Sequence, residues 1–161
     1  MAKKVEKGII KFSYENDTLF DEVRLLSAYM TKNLATESGL LTDEYCITED
    51  ERDIYDQCLK NTLPNVYEVI IGLVPCVDES ISDSNGVSIS LVDNHAYNVN
   101  VLTLVDSTID NCLKYGVLAE YYSICTHAEL FRVAKDKLDT NLFQLKQRLF
   151  QLKKKSVSSQ L

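Results

Sequence analysis

Residues 138–155 read LDTNLFQLKQRLFQLKKK, with leucine at Leu138, Leu142, Leu145, Leu149 and Leu152. Steps of four and three residues place all five side chains on one stripe of an α-helix, and a stripe of that kind has to be covered by other elements. The run ends on Lys153, Lys154 and Lys155, where the exposed carbonyls of a helix C-terminus favour cations. A helix so marked belongs in a bundle, and the preceding sequence supplies the partners.

Upstream of the seam, Val117, Leu118, Tyr121, Ile124, Ala128 and Phe131 keep helical spacing. They predict a helix over about 117–153 with an interruption near Thr126. Val101, Leu102, Val105, Ile109, Cys112 and Leu113 predict another over about 98–114, with Gly116 as the weak point between the two. Ile54, Tyr55, Cys58, Leu59, Leu63, Val66, Tyr67, Ile70 and Ile71 form a wide stripe. Thr48 and Glu51 are spaced to open it as a capping box, and Gly72 and Pro75 close it. Pro64 lies within the stripe and predicts a kink or break. Leu19, Val23, Leu26 and Met30 mark a first helix capped by Thr18 and ending near Leu34.

Two stretches depart from helical spacing. Val87, Ile89 and Leu91 alternate with Ser88, Ser90 and Val92 after the turn-forming Asp83-Ser84-Asn85-Gly86, which predicts a β-hairpin within 76–93. GIIKFSY, residues 8–14, suits a short strand or an extended arm. The expected fold is mainly α: a bundle of about four helices with one β-hairpin and an extended N-terminal arm. Residues 1–17 form the arm or strand, 18–155 the single bundle domain, and 156–161 a flexible tail.

The chain has 161 residues, 45% apolar and 25% charged, enough for a core without covalent or metal staples. No apolar run reaches the roughly 18 residues that span a bilayer. MAKKVEKG is followed by no apolar stretch, so no signal peptide and no membrane partner are expected. The five cysteines, Cys46, Cys58, Cys76, Cys112 and Cys125, include no C-x-x-C pair, and buried structural thiols are the simplest expectation. Charge is uneven. From Phe131 onward the net is +6, against −13 for the first 130 residues. An acidic body repels a phosphate backbone, so nucleic acid is expected only as an incidental contact in a channel.

Nothing in the sequence spells out a reaction. Cys125 and His127 are two residues apart, which does not place both on one helix face. The carboxylates Asp43, Glu44, Glu49, Asp50, Glu51, Asp53 and Asp56 lack the spacing that wraps calcium, and acid is favoured at a helix start in any case. No glycine-rich phosphate loop occurs. Catalytic residues, cofactors and metals are accordingly expected to be absent.

The stretch VLAEYYSICTHAELFRVAKDKLDTNLFQLKQRL, residues 117–149, resembles the closing helices of small phage head-to-tail connector (adaptor) proteins. In those proteins an apolar helix with adjacent aromatics, here Tyr121 and Tyr122, is followed by an interruption. A long amphipathic helix then follows, here from Phe131 through the seam. The resemblance covers about a fifth of the chain and is one of pattern. It implies a non-enzymatic virion structural protein, assembled in the host cytoplasm, that forms a ring of identical copies between portal and tail proteins. The alternative is a cytosolic regulatory or adaptor protein that binds one partner through its C-terminal helix. For the ring, Arg148, Lys153, Lys154 and Lys155 are the candidate basic surface, and Asp43, Glu44, Glu49 and Asp50 the candidate acidic one. Such a ring needs two different complementary faces per copy. The hairpin or the GIIKFSY arm could also add a strand to a neighbour.

Overall fold

The computed structural model describes residues 2–6, 8–38, 46–77, 81–83, 85–93 and 97–153. In chain order the elements are β1 (Ala2–Glu6), β2 (Ile9–Glu15), α1 (Asn16–Ser38), α2 (Arg52–Ile71), β3 (Ile81–Asp83), β4 (Gly86–Val92), α3 (Leu102–Ile124) and α4 (Ala128–Lys153). The fold is a mainly α helical bundle carrying the expected β-hairpin, β3–β4. The N-terminal stretch joins that hairpin, giving one antiparallel sheet of order β1-β2-β4-β3.

Strand period explains how the sheet meets the helices. Ile10, Phe12 and Tyr14 lie opposite Leu91, Ile89 and Val87, and all six side chains are buried on one face. Lys11 between them is exposed. Because β1 and β4 occupy both edges of β2, GIIKFSY has no edge left for a neighbouring subunit. The hydrophobic alternation is satisfied inside the chain.

β2 runs directly into α1. The helix begins at Asn16, two residues ahead of the expected cap at Thr18, and the Asn16 amide donates to Asn85 O at 2.9 Å in the hairpin turn, which satisfies one orphan amide of the helix start. Thr18 Oγ1 instead donates to Glu15 Oε2. At the hairpin, Gly86 has φ +147°, and a Cβ there would stand 2.0 Å from Tyr14 O. Only glycine permits the strands to close this tightly.

The capping box forms as its residues predict: Glu51 Oε2 accepts from Thr48 N at 2.8 Å, through a short 3-10 turn at Glu49–Glu51 that leads into α2. α2 then passes through Pro64 as one helix and stops at Gly72. Proline removes one amide and crowds one carbonyl, while Leu63 and Val66 on either side are buried, and that packing holds the helix together.

Gly116, expected as a weak point between two helices, lies inside one. α3 continues through it without interruption, since Gly116 is where α3 meets α2: a Cβ would fall 2.1 Å from Thr62 Cγ2. The break lies at Cys125–His127. Thr126 takes φ 56°, its amide donates to Ser123 O, and the next amide donates to Tyr122 O, the paired bonds that end a helix in a left-handed residue. His127 then caps α4, its Nδ1 accepting from Leu130 N at 3.1 Å.

α4 folds back on α3, and the seam is core: Leu138, Leu145, Leu149 and Leu152 are buried. Leu142 is only half-buried, and Asn141 takes the seam position, its Nδ2 donating to Lys137 O at 2.8 Å. An undistorted helix turns 3.6 residues per turn, so a strict reading of leucines drifts off the buried face by one residue.

Candidate interaction surfaces

Three surfaces and one buried polar junction carry the charged and exposed aromatic side chains. The first surface is the acidic flank where α1 meets the start of α2. Asp17 accepts from Arg52 at 2.8 Å, and Glu49 accepts from Arg24 at 3.1 Å. Asp21 and Asp56 stand 3.6 Å from the same two guanidiniums. The guanidiniums are held flat: Arg52 lies 4.6 Å and Arg24 5.5 Å from the Phe20 ring centre, a cation–π arrangement that spares each arginine some desolvation. Asp50 and Asp53 are exposed beside this ladder, with no cationic partner among the described residues. Six carboxylates against two guanidiniums leave the flank negative.

The second surface is the outward face of α4. Phe143 and Phe150, seven residues apart and so on one side of the helix, are 62% and 52% exposed. Lys146 and Lys153 lie exposed beside them and Arg148 is half-buried. Arg132 and Lys135 pair along the helix with Asp136 and Asp139. Lys137, Lys146, Arg148 and Lys153 have no carboxylate partner among the described residues, and Arg148 Nη1 makes only a 3.3 Å bond to Gln151 Oε1.

The third surface is a groove of about 430 Å³ between α1 and α4, lined by Leu26, Tyr29, Met30, Tyr115, Leu130 and Val133. Arg132, Lys137 and Glu129 edge it on the α4 side.

Under the sheet, β2 meets α3 through polar groups. Tyr14 OH donates to Asp106 Oδ1 at 2.8 Å and to Asp106 O at 3.1 Å. Burial, with the Asp106 carboxylate beside it, pushes the Tyr14 phenol far above its ordinary value. Lys114 Nζ sits 2.7 Å from both Glu22 Oε2 and Asp110 Oδ2. Burial raises the Asp110 pKa despite that ammonium, with Glu22 and Asp106 adding like-charge repulsion. The cluster ties α1, α3 and β2 together.

The sequence-expected interface residues divide among these places. Glu49 and Asp50 are on the acidic flank; Lys153 is exposed near Phe150 on α4, and Arg148 is half-buried at the edge of the packed side, away from the two phenylalanines. Asp43, Glu44, Lys154 and Lys155 lie outside the described residues, as does the 156–161 tail. The signal missed in the sequence was Phe143 and Phe150: both fall within the quoted heptad run, on the side away from its leucines. Of the thiols, Cys58 and Cys112 are fully buried, which pushes their pKa up to about 11 and about 12, so both are protonated at neutral pH. Among the described residues no group of three or more His, Cys, Asp or Glu side chains is arranged to hold a metal ion, and no helix is long and apolar enough to cross a membrane.

Comparison with protein-family models, with curated proteins and with solved structures finds no match to this chain.

Proposed function

We propose that this chain is a non-enzymatic structural subunit of a phage virion, a head-to-tail connector that assembles as a ring of copies between portal and tail proteins. The observation that carries this reading is the two-sidedness of α4. One stripe of the helix is core, while Phe143 and Phe150 stand exposed on the reverse within a basic neighbourhood. Aromatic side chains beside cations are the groups that dominate protein interfaces. The negative flank on α1 and α2 adds a second, different surface, as a heterologous ring contact requires. In this arrangement Phe143, Phe150, Lys146 and Lys153 engage the portal or tail protein. The same stripe would serve a cytosolic adaptor that binds one partner through its terminal helix, and stoichiometry separates the two.

The test is size-exclusion chromatography with light scattering, alone and after co-expression with the portal and tail proteins of the same genome. The expected result is a mass many times the 18.3 kDa of one copy and co-migration with portal that Phe143→Ser plus Phe150→Ser abolishes. A chain that stays monomeric and joins neither protein would sink the proposal. A one-to-one complex with a single non-virion partner would establish the adaptor instead.

A further inference from the structure

We infer that the groove between α1 and α4 receives the acidic start of α2 from a second copy of this chain, with Ile54 as the inserted side chain. The inference rests on the assembly reading above and names the contact between copies.

The helical wheel of α1 has two unlike flanks. At ~100° per residue, Leu19, Val23 and Ser27 point to the core, and all three are buried. Asp17, Asp21 and Arg24 fall on one flank of that stripe; the hydrogen bonds of Asp17 to Arg52 and of Arg24 to Glu49 confirm that this flank faces the start of α2. Leu26, Tyr29 and Asn33 fall on the other flank and, with Met30 from the core stripe, line the groove. One helix thus separates an acidic surface from an apolar groove edged by cations. Two complementary surfaces on opposite sides of one element cannot meet within a copy, but they can meet between copies, and repetition of such a head-to-tail contact builds a ring where its rotation closes.

The chemistry of the two sides matches. The groove is apolar in its floor and open enough for one aliphatic side chain, with Tyr29, 63% exposed, at its lip. Ile54 is 37% exposed at the first turn of α2. Asp50 and Asp53, four and one residues before it, are exposed and free of cationic partners among the described residues. Opposite them the groove presents Arg132 and Lys137, with Glu129 the one carboxylate among its described lining residues, so its rim is net positive by one charge. Lys137 has no carboxylate partner among the described residues. Arg132 holds only a loose 3.6 Å pair with Asp136, both side chains about two-thirds exposed, an arrangement readily exchanged for a closer partner. Inserting Ile54 therefore covers apolar surface on both copies and sets Asp50 and Asp53 against Arg132 and Lys137 at the rim. Charge complementarity of this kind fixes which faces meet.

The experiment compares full-length wild type with Ile54→Ser, Lys137→Glu and the exchange variant Asp53→Lys plus Lys137→Glu, by sedimentation velocity over a range of protein and salt concentrations. All three positions are exposed or nearly so, and an unchanged thermal melt confirms that each variant folds. The concentration needed for assembly should rise roughly tenfold or more in each single variant and return toward wild type in the exchange variant. Wild-type assembly should loosen as salt rises toward about 0.5 M through screening. Wild-type oligomers that persist unchanged in Ile54→Ser and Lys137→Glu would overturn this contact and leave the assembly reading standing on another surface. A wild type that is monomeric throughout would remove the contact between copies and the ring together.

Discussion

The interface of α3 with α4 and the junction where the sheet meets α1 and α3 solve the same packing problem with opposite materials. The first is nearly dry. Leu145, Leu149 and Leu152 of α4 are buried in one cluster with Val105, Ile109 and Leu113 of α3, and the buried amide of Asn141 donates within its own helix. The second joins a phenol, an ammonium and carboxylates from three elements. A dry seam is non-directional and tolerant of small shifts. A polar junction is directional, and each member depends on its partner being in place.

That contrast orders the effects of substitution. The largest belongs to the seam: Leu145→Asp puts an unpartnered charge where no water reaches, a cost of several kcal/mol against a total stability of about 5–15 kcal/mol. Circular dichroism should show loss of the cooperative melt, and an unchanged melt would mean that the seam faces solvent.

Gly116→Val tests the close approach of α3 to α2. Its side chain would overlap Thr62, and overpacking of this kind costs about 1–3 kcal/mol. Thr62→Ala in the same chain should recover part of the loss. Equal denaturation midpoints with and without Thr62→Ala would show that the two helices yield independently.

At the polar junction, Tyr14→Phe deletes one hydrogen bond to a carboxylate, worth about 1.5–3 kcal/mol, and should lower the melting temperature without changing the helical spectrum. Buried phenols, Tyr14 at this junction among them, set the alkaline limit. Burial raises the pKa of Tyr14, Tyr55 and Tyr121 well above the ordinary 10.0, and that of Tyr122 to about 12. Above pH 10 the unfolded chain therefore releases protons that the folded chain keeps. Stability is fully present below that pH and falls as pH rises beyond it. Phenolate absorbance should appear together with loss of the fold, and phenolate appearing in a still-folded protein would contradict this.

The smallest effect should be a gain. Thr126 is β-branched and left-handed, with φ 56°, so Thr126→Gly relieves strain of about 1 kcal/mol. Loss of the Thr126 Oγ1 bond to Cys125 O offsets part of it. A rise of a few degrees in melting temperature is expected, and a fall would mean that the hydroxyl outweighs the backbone.

Local rules fix much of this molecule. Leucine spacing marks α4 as amphipathic, the capping box opens α2, and alternation with Asn85-Gly86 makes the hairpin, because each depends on residues within a few positions of one another. Glu49 and Asp50 were legible as part of an acidic surface for the same reason. What only tertiary structure decided is where distant elements touch. Gly116 looked like a helix breaker, yet serves as the notch that admits Thr62. The interruption near Thr126 was legible in the spacing, but its form, a β-branched residue held left-handed so that α4 folds back on α3, was not. GIIKFSY acquired both its strand partners from within the chain, one of them about 80 residues away. The groove exists only because α1 and α4, a hundred residues apart, lie side by side over Tyr115. A single sequence carries periodicity, whereas the meeting of two faces depends on how the whole chain shares one core.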